Sequence, residues 1–210
     1  MSMMYFSELA LPKNPINPIA FEQFVEERNA EQGNHNERLN FKNVTDLLTD
    51  ECNEAFENIG LKPRTAVLFG KEMSADQRFF VTPCHRDVES RNGKWNPVSC
   101  AVNWEMTKGG SIMDWFEETV QPDTDPSADI NNIQDYYQDV YVYSSGLPNK
   151  IDSCKLKNYT PYLMRTDTPH QLKFIRGEER RYSLSVRFHE ESAPDWQTVW
   201  DKFKPIILRT

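Results

Sequence analysis

Histidine and glycine are scarce in this chain, at four and eight of 210 residues. No two glycines have a single residue between them, which excludes a phosphate-cradling loop of the G-x-G-x-x-G kind. The four cysteines, at positions 52, 84, 100 and 154, show no C-x-x-C spacing, which argues against a zinc ribbon or a thioredoxin-like redox motif. They read as reduced thiols, with Cys84 and Cys100 expected to be buried. No apolar run reaches the ~18 residues of a membrane-spanning helix. The first twenty residues lack the basic start and apolar stretch of a signal peptide. Basic residues are outnumbered 24 to 32, for a net charge of −8. A diffuse acidic surface disfavours non-specific binding to nucleic acid and to anionic membranes. The expectation is a cytoplasmic protein without a membrane partner, for which nucleic acid is an unfavoured ligand.

What the chain does have is aromatic residues, 12% of the total against 38% hydrophobic residues overall. Its length suits one domain, in three parts. Residues 1–64 read as mainly helical. In "PIAFEQFVEERNAEQ", Phe21, Phe24 and Val25 recur at helical spacing. In "NVTDLLTDECNEAFENIG", Leu47, Leu48, Cys52 and Phe56 form one stripe. Thr45 or Asn43 is the expected cap of the second helix, and Gly60 its stop. Residues 65–190 change texture. "TAVLFG", "RFFVTPCH", "VSCAVNWEM", "GGSIMDWFE", "DVYVYSSG", "PYLMRTD", "HQLKFI" and "RRYSLSVRF" are short, rich in β-branched and aromatic residues, and bounded by Gly, Pro, Asn or Asp. Such segments predict a mainly β fold of sandwich, jelly-roll or barrel type, with the helices packed outside it. The acidic, proline-containing residues 119–139 read as an insertion between strands and a candidate lid. Residues 191–210 predict a short C-terminal helix with Asp195 near its start.

Two chemistries compete for "TPCHRDVESRN", residues 82–92. His85-Arg86-Asp87 with Asn92 fits the kinase pattern H-R-D-x-x-x-x-N. A kinase also needs a Gly-rich loop followed by a strand lysine, and a D-F-G, and this chain has neither a G-x-G nor a D-F-G. The same letters give H-x-D, two ligands of a 2-His-1-carboxylate iron site with open coordination positions. His170, in "RTDTPHQLKF", is the candidate third ligand. Beyond it, alternation along "RRYSLSVRF" puts Arg181, Ser183, Ser185 and Arg187 on one face and Tyr182, Leu184, Val186 and Phe188 on the other. A buried arginine row needs an anion. A dicarboxylate that chelates the metal at one end and pairs with Arg181 at the other would serve.

These residues resemble those of the Fe(II)/2-oxoglutarate-dependent oxygenases. The order of H-x-D, distal His and Arg matches over residues 79–189, about half the chain. The resemblance implies a double-stranded β-helix (jelly roll), with His85, Asp87 and His170 as iron ligands and Arg181 holding 2-oxoglutarate. "RYS" at 181–183 is similar to the R-x-S with which several members hold the distal carboxylate, which includes Ser183. "GGSIMDWFE" is similar to a strand of the prolyl-hydroxylase-like branch. "RYSLSVR" is similar to the R-x-N-x-T-x-R strand of the AlkB-like demethylases, which makes Arg187 a second cosubstrate candidate. Asn103, which shares a face with Ser99 and Ala101, is a candidate contact to cosubstrate or substrate. Arg181 follows His170 by eleven residues, slightly more than is usual, so Arg180 competes for its role. Residues 1–60 match no motif. The implied activity is hydroxylation or oxidative demethylation of a small molecule or a protein side chain.

Plainer readings stand beside these. His85 and Asp87 fit a surface hydrogen-bonded pair, and Arg181 an exposed ion pair with Glu178 or Glu179. Trp104, Trp115 and Phe116 read as core, His189 as solvated, and His35 as a loop residue. The competing functions are a cupin-type metal-binding jelly roll without oxygenase turnover, and a metal-free β-rich assembly module.

Overall fold

The computed structural model describes residues 4–30, 40–72, 79–91, 94–106, 110–118, 139–143, 149–175 and 180–208. Residues 119–138 of the insertion, His35, Asn92, Glu178, Glu179 and the side chain of Arg180 lie outside them.

Two antiparallel sheets face each other. The strands are β1 (Phe6–Glu8), β2 (Asn40–Asn43), β3 (Pro63–Glu72), β4 (Phe79–Val81), β5 (Cys84–Arg91), β6 (Lys94–Pro97), β7 (Cys100–Glu105), β8 (Gly110–Phe116), β9 (Asp139–Tyr143), β10 (Lys150–Leu156), β11 (Pro161–Arg165), β12 (His170–Ile175) and β13 (Arg180–Phe188). One sheet has the order β1-β11-β7-β13-β3-β2. The other runs β10-β8-β12-β5-β6, with β4 paired to β12 and β9 to β5. Strands consecutive in the chain repeatedly fall in opposite sheets, as in a double-stranded β-helix.

Alternation along β13 decides where the core sits. Tyr182, Leu184, Val186 and Phe188 face outward from the sandwich, into a cluster with the helices. That cluster takes Phe24 of α1 (Pro18–Ala30), Cys52 and Phe56 of α2 (Asp50–Asn58), and Trp196, Val199 and Phe203 of α3 (Trp196–Phe203). The Phe56 ring centroid stands 4.9 Å from that of Phe188 and 6.4 Å from that of Trp104. Each such fully buried aromatic contributes about 1.5–3 kcal/mol. A smaller apolar cluster fills part of the space between the sheets, with Met113 and Trp115 of β8 meeting Tyr162 and Met164 of β11. All four cysteines are buried and free, and burial pushes their thiols up to about 12. They are packing residues rather than nucleophiles. Among the described residues no helix is long and apolar enough to cross a membrane.

Several elements differ from the sequence expectation. The stretch read as one helix from position 43 breaks into β2, a 3-10 turn over Thr45–Leu47, and α2. The cap of α2 is Thr49, whose hydroxyl accepts from the Cys52 amide, not Thr45 or Asn43. Thr45 instead accepts from the Ala66 amide and ties the turn to β3. Gly60 does end α2, at φ +70°, where a Cβ would be strained. "RFFVTPCH" divides at Thr82-Pro83 into β4 and β5. β1, β6 and β10 were not expected from the sequence. Asp195 lies at the start of α3 as expected, and there it caps the helix, accepting from the Thr198 amide.

Candidate metal centre

His85-Arg86-Asp87 is strand, not loop. On β5, residues 85 and 87 share one face, and that face looks into the sandwich. Arg86 points the other way and pairs with Glu118. The kinase-like string is therefore a strand whose alternate residues serve different surroundings. His170 opens β12 and is the direct cross-strand partner of His85.

The three side chains meet. His85 Nε2 lies 3.8 Å and His170 Nε2 4.0 Å from the same oxygen, Asp87 Oδ1. One ligand atom from each residue falls within 4.8 Å of the others. Both imidazoles are oriented alike. His85 Nδ1 lies 2.8 Å from the Pro83 carbonyl and His170 Nδ1 2.9 Å from the Thr168 carbonyl. A carbonyl only accepts, so each Nδ1 carries the proton and each Nε2 keeps its lone pair for a metal. Burial, then the charge of His85, push His170 from the usual 6.5 down to about 4, which keeps it a neutral donor at pH 7. Burial alone would raise the Asp87 pKa. Arg187, then His170 and His85, outweigh it and hold the carboxyl below its usual value. Asp87 Oδ1 is buried with no hydrogen-bond partner among the described residues. A buried carboxylate oxygen left so is costly, and a cation held between it and the two Nε2 atoms would satisfy it. The donor set, two imidazoles and one carboxylate, fits Fe(II).

The arginine row of β13 does face inward, and it finds its anions inside the protein. Arg187 pairs with Asp87 Oδ2 across the sandwich. Arg181 donates from Nε at 2.9 Å and Nη2 at 2.6 Å to Glu105 Oε2, and from Nη1 to Ser183 Oγ at 3.0 Å. Its guanidinium lies 3.8 Å over the Phe174 ring. Burial lowers the Arg181 pKa, and the charge and hydrogen bonds of Glu105 push back. The premise that this arginine needs an outside anion is thus not required by the fold, since Glu105 supplies one. Asn103 also faces the interior, with its Nδ2 3.1 Å from Met164 Sδ and its Oδ1 buried without a partner among the described residues. Ser99 precedes β7, so the face of Asn103 is shared with Ala101 and Glu105. His189 is outside the metal cluster found among the described residues. Trp104, Trp115 and Phe116 are buried packing residues.

Glu105 was missed as a site residue. The signal was available, because it lies two residues beyond Asn103 on a strand and so shares its face.

The fold and ligand set together define a double-stranded β-helix with an H-x-D…H cluster, the arrangement that the resemblance to the Fe(II)/2-oxoglutarate-dependent oxygenases implies. No protein-family model and no curated protein matches the chain. Several solved structures are similar in backbone. The epimerase SnoN, in complex with Fe3+, alpha ketoglutarate and nogalamycin RO, aligns with a TM-score of 0.48 and 10% identity over 87% of this chain and 78% of its own. HygX from Streptomyces hygroscopicus, with nickel and 2-oxoglutarate bound, aligns with a TM-score of 0.41 and 10% identity over 87% and 81%. E. coli ycfD aligns with a TM-score of 0.36 and 12% identity, and the chain spans only 28% of its length. Likenesses at this level describe the course of the backbone and leave the chemistry to the site itself.

Proposed function

We propose that this protein is an Fe(II)- and 2-oxoglutarate-dependent oxygenase that hydroxylates, or oxidatively demethylates, a small molecule or a protein side chain. The observation that carries this reading is the buried, unpartnered Asp87 Oδ1 facing two imidazoles whose other nitrogens are tied to backbone carbonyls. His85, Asp87 and His170 would hold the iron. Bound there, iron supplies the activation of dioxygen, and the overall balance is R–H + O2 + 2-oxoglutarate giving R–OH + succinate + CO2.

The chain's own groups have distinct tasks in this scheme. Arg187 fixes one oxygen of Asp87 and leaves the other to the metal. Arg181 and Ser183, at the far end of the inward strip of β13, are the partners for the distal carboxylate, with Asn103 a side contact. The inward-facing charges support this choice. Asp87 and Glu105 balance Arg181 and Arg187, so a divalent ion adds two positive charges that a dianionic 2-oxo acid neutralises. Asp87 and His170 are 5% and 4% exposed and His85 is 20% exposed, so the site opens to solvent on the His85 side, where substrate would enter. The acidic balance of the chain disfavours a nucleic-acid duplex as that substrate.

A second reading has one observation in its favour. Both inward arginines are paired within the protein, as suits a cupin-type metal-binding jelly roll without turnover. Iron-loaded protein incubated with 2-oxoglutarate labelled at its first carbon separates the two. Release of labelled CO2 with matching succinate is the expected result. Tight iron binding with no release leaves the cupin-type reading.

A further inference from the structure

We propose that Glu105 sets the affinity and selectivity of the site for the far end of the 2-oxo acid, by competing with the ligand's carboxylate for Arg181. The role rests on the cosubstrate reading above.

Glu105 ends β7 at 2% exposure, opposite Ser183 of β13. Its two oxygens are used very unequally. Oε2 accepts from Arg181 Nε and Nη2 and from Ser111 Oγ, the last at 2.6 Å. Oε1 is buried and accepts from nothing among the described residues. A well-matched carboxylate–guanidinium pair uses both oxygens against the fork. Here one oxygen is crowded by three donors while the other is desolvated without return. The Arg181 guanidinium is also held on its face by Phe174, four strand residues beyond His170, and by Ser183 at Nη1. The cation is therefore fixed in place, and what occupies its hydrogen-bonding edge is an internal carboxylate in a poor geometry.

An incoming distal carboxylate must displace or share that edge, next to a like charge in a low-dielectric interior, where repulsion is strong. A 2-oxo acid whose far end is uncharged meets no such repulsion. The wild-type site should therefore gain little from the distal carboxylate of 2-oxoglutarate. Replacing Glu105 with its uncharged isostere leaves the guanidinium without an anion and open to the ligand's.

The test uses full-length protein loaded with Ni(II), a redox-silent stand-in, and calorimetric titration with two probes. These are 2-oxoglutarate and 2-oxovalerate, which keeps the oxo-acid head and five carbons but has a methyl in place of the far carboxylate. Wild type is expected to bind the two within about three-fold of each other. Glu105→Gln is expected to bind 2-oxoglutarate at least ten-fold more tightly than wild type does, with 2-oxovalerate little changed. It is also expected to melt at a lower temperature than wild type and to recover more on adding 2-oxoglutarate. A merely structural glutamate would give the lower melting temperature with no gain in affinity, and that result overturns the proposal. Should the variant not fold, the wild type decides alone, because a ten-fold or greater preference for 2-oxoglutarate over 2-oxovalerate overturns it. If Ni(II) loads but neither acid binds either protein, the cosubstrate reading itself fails and takes this role with it.

Discussion

Arg187 and Asp87, one hundred residues apart in the chain, form a buried hydrogen-bonded ion pair across the two sheets, and the pair divides the carboxylate between two duties. Oδ2 takes the guanidinium while Oδ1 faces both imidazoles. Arg187→Met strands a buried charge, which costs about 3–5 kcal/mol of stability in chemical denaturation. The double variant Asp87→Asn, Arg187→Met regains most of that loss, because no charge is left alone. The single variant also loses the group that holds the Asp87 pKa down. Its affinity for Ni(II) should therefore fall more steeply than wild type's between pH 8 and pH 5, where a raised pKa lets protons compete with the metal.

The three ligands should act as a set and His189 should not. Removing a residue that merely orients a ligand costs roughly 10–100-fold in metal affinity. Loss of a ligand itself, in His85→Ala, His170→Ala or Asp87→Ala, should exceed about 100-fold. His189→Ala should leave binding as it was, since that side chain lies outside the cluster. Equilibrium dialysis against Ni(II) or Co(II) reads both. Retained affinity in any one of the three ligand variants would remove that residue from the site.

Much of this site was legible because strands have a period of two. Once "RRYSLSVRF" is a strand, its serine and arginine face is fixed by parity. The same rule puts His85 and Asp87 together and sends Arg86 away. Parity also extends from Asn103 to Glu105, but nothing local in "NWEM" announces that Arg181 is its partner seventy-six residues on. Edge strands were the hardest to see. "KIDSCKL" of β10 exposes most of its residues and carries little β signal, and β1 has three residues whose pairing with β11 is entirely long-range. The helix cap went to the wrong threonine because Thr45 and Thr49 both precede acidic and apolar residues. What separates them is tertiary, since Thr45 is engaged by the Ala66 amide of β3.

Arg181 can be tested without emptying its site. Lysine keeps the charge but replaces the planar fork with a point donor. Added to Glu105→Gln, where the ligand's carboxylate meets the fork unopposed, Arg181→Lys should weaken 2-oxoglutarate binding at least ten-fold, while metal content stays the same. In wild type the fork grips Glu105 and Ser183 at once, so Arg181→Lys on its own should lose about 1–3 kcal/mol of stability as buried acceptors go unpaired. Unchanged 2-oxoglutarate affinity would move the cosubstrate role to Arg180 or Arg187.

His170 gives the metal-free protein a particular response to acid. Its pKa is about 4 in the folded chain against 6.5 as the ordinary value, with burial as the main cause. Between those two values the unfolded chain holds a proton that the folded chain refuses. Unfolding therefore takes up protons, and stability rises with pH through this window. Read downward, stability is lost as pH falls from about 6.5 to about 4, by up to roughly 3 kcal/mol at 1.36 kcal/mol per pKa unit. Below about 4 both states are protonated and this contribution is spent. Asp87 works in a separate range, because a depressed carboxyl gives up its stabilisation only below its ordinary value of 3.8. Urea denaturation of metal-free wild type and His170→Asn at several pH values isolates the histidine, since Asn can still donate to the Thr168 carbonyl but does not titrate. The wild-type slope between pH 6.5 and 4 should exceed that of the variant. Equal slopes would mean that the folded chain takes up this proton as readily as the unfolded chain, so burial would not keep the His170 lone pair free for iron through that window.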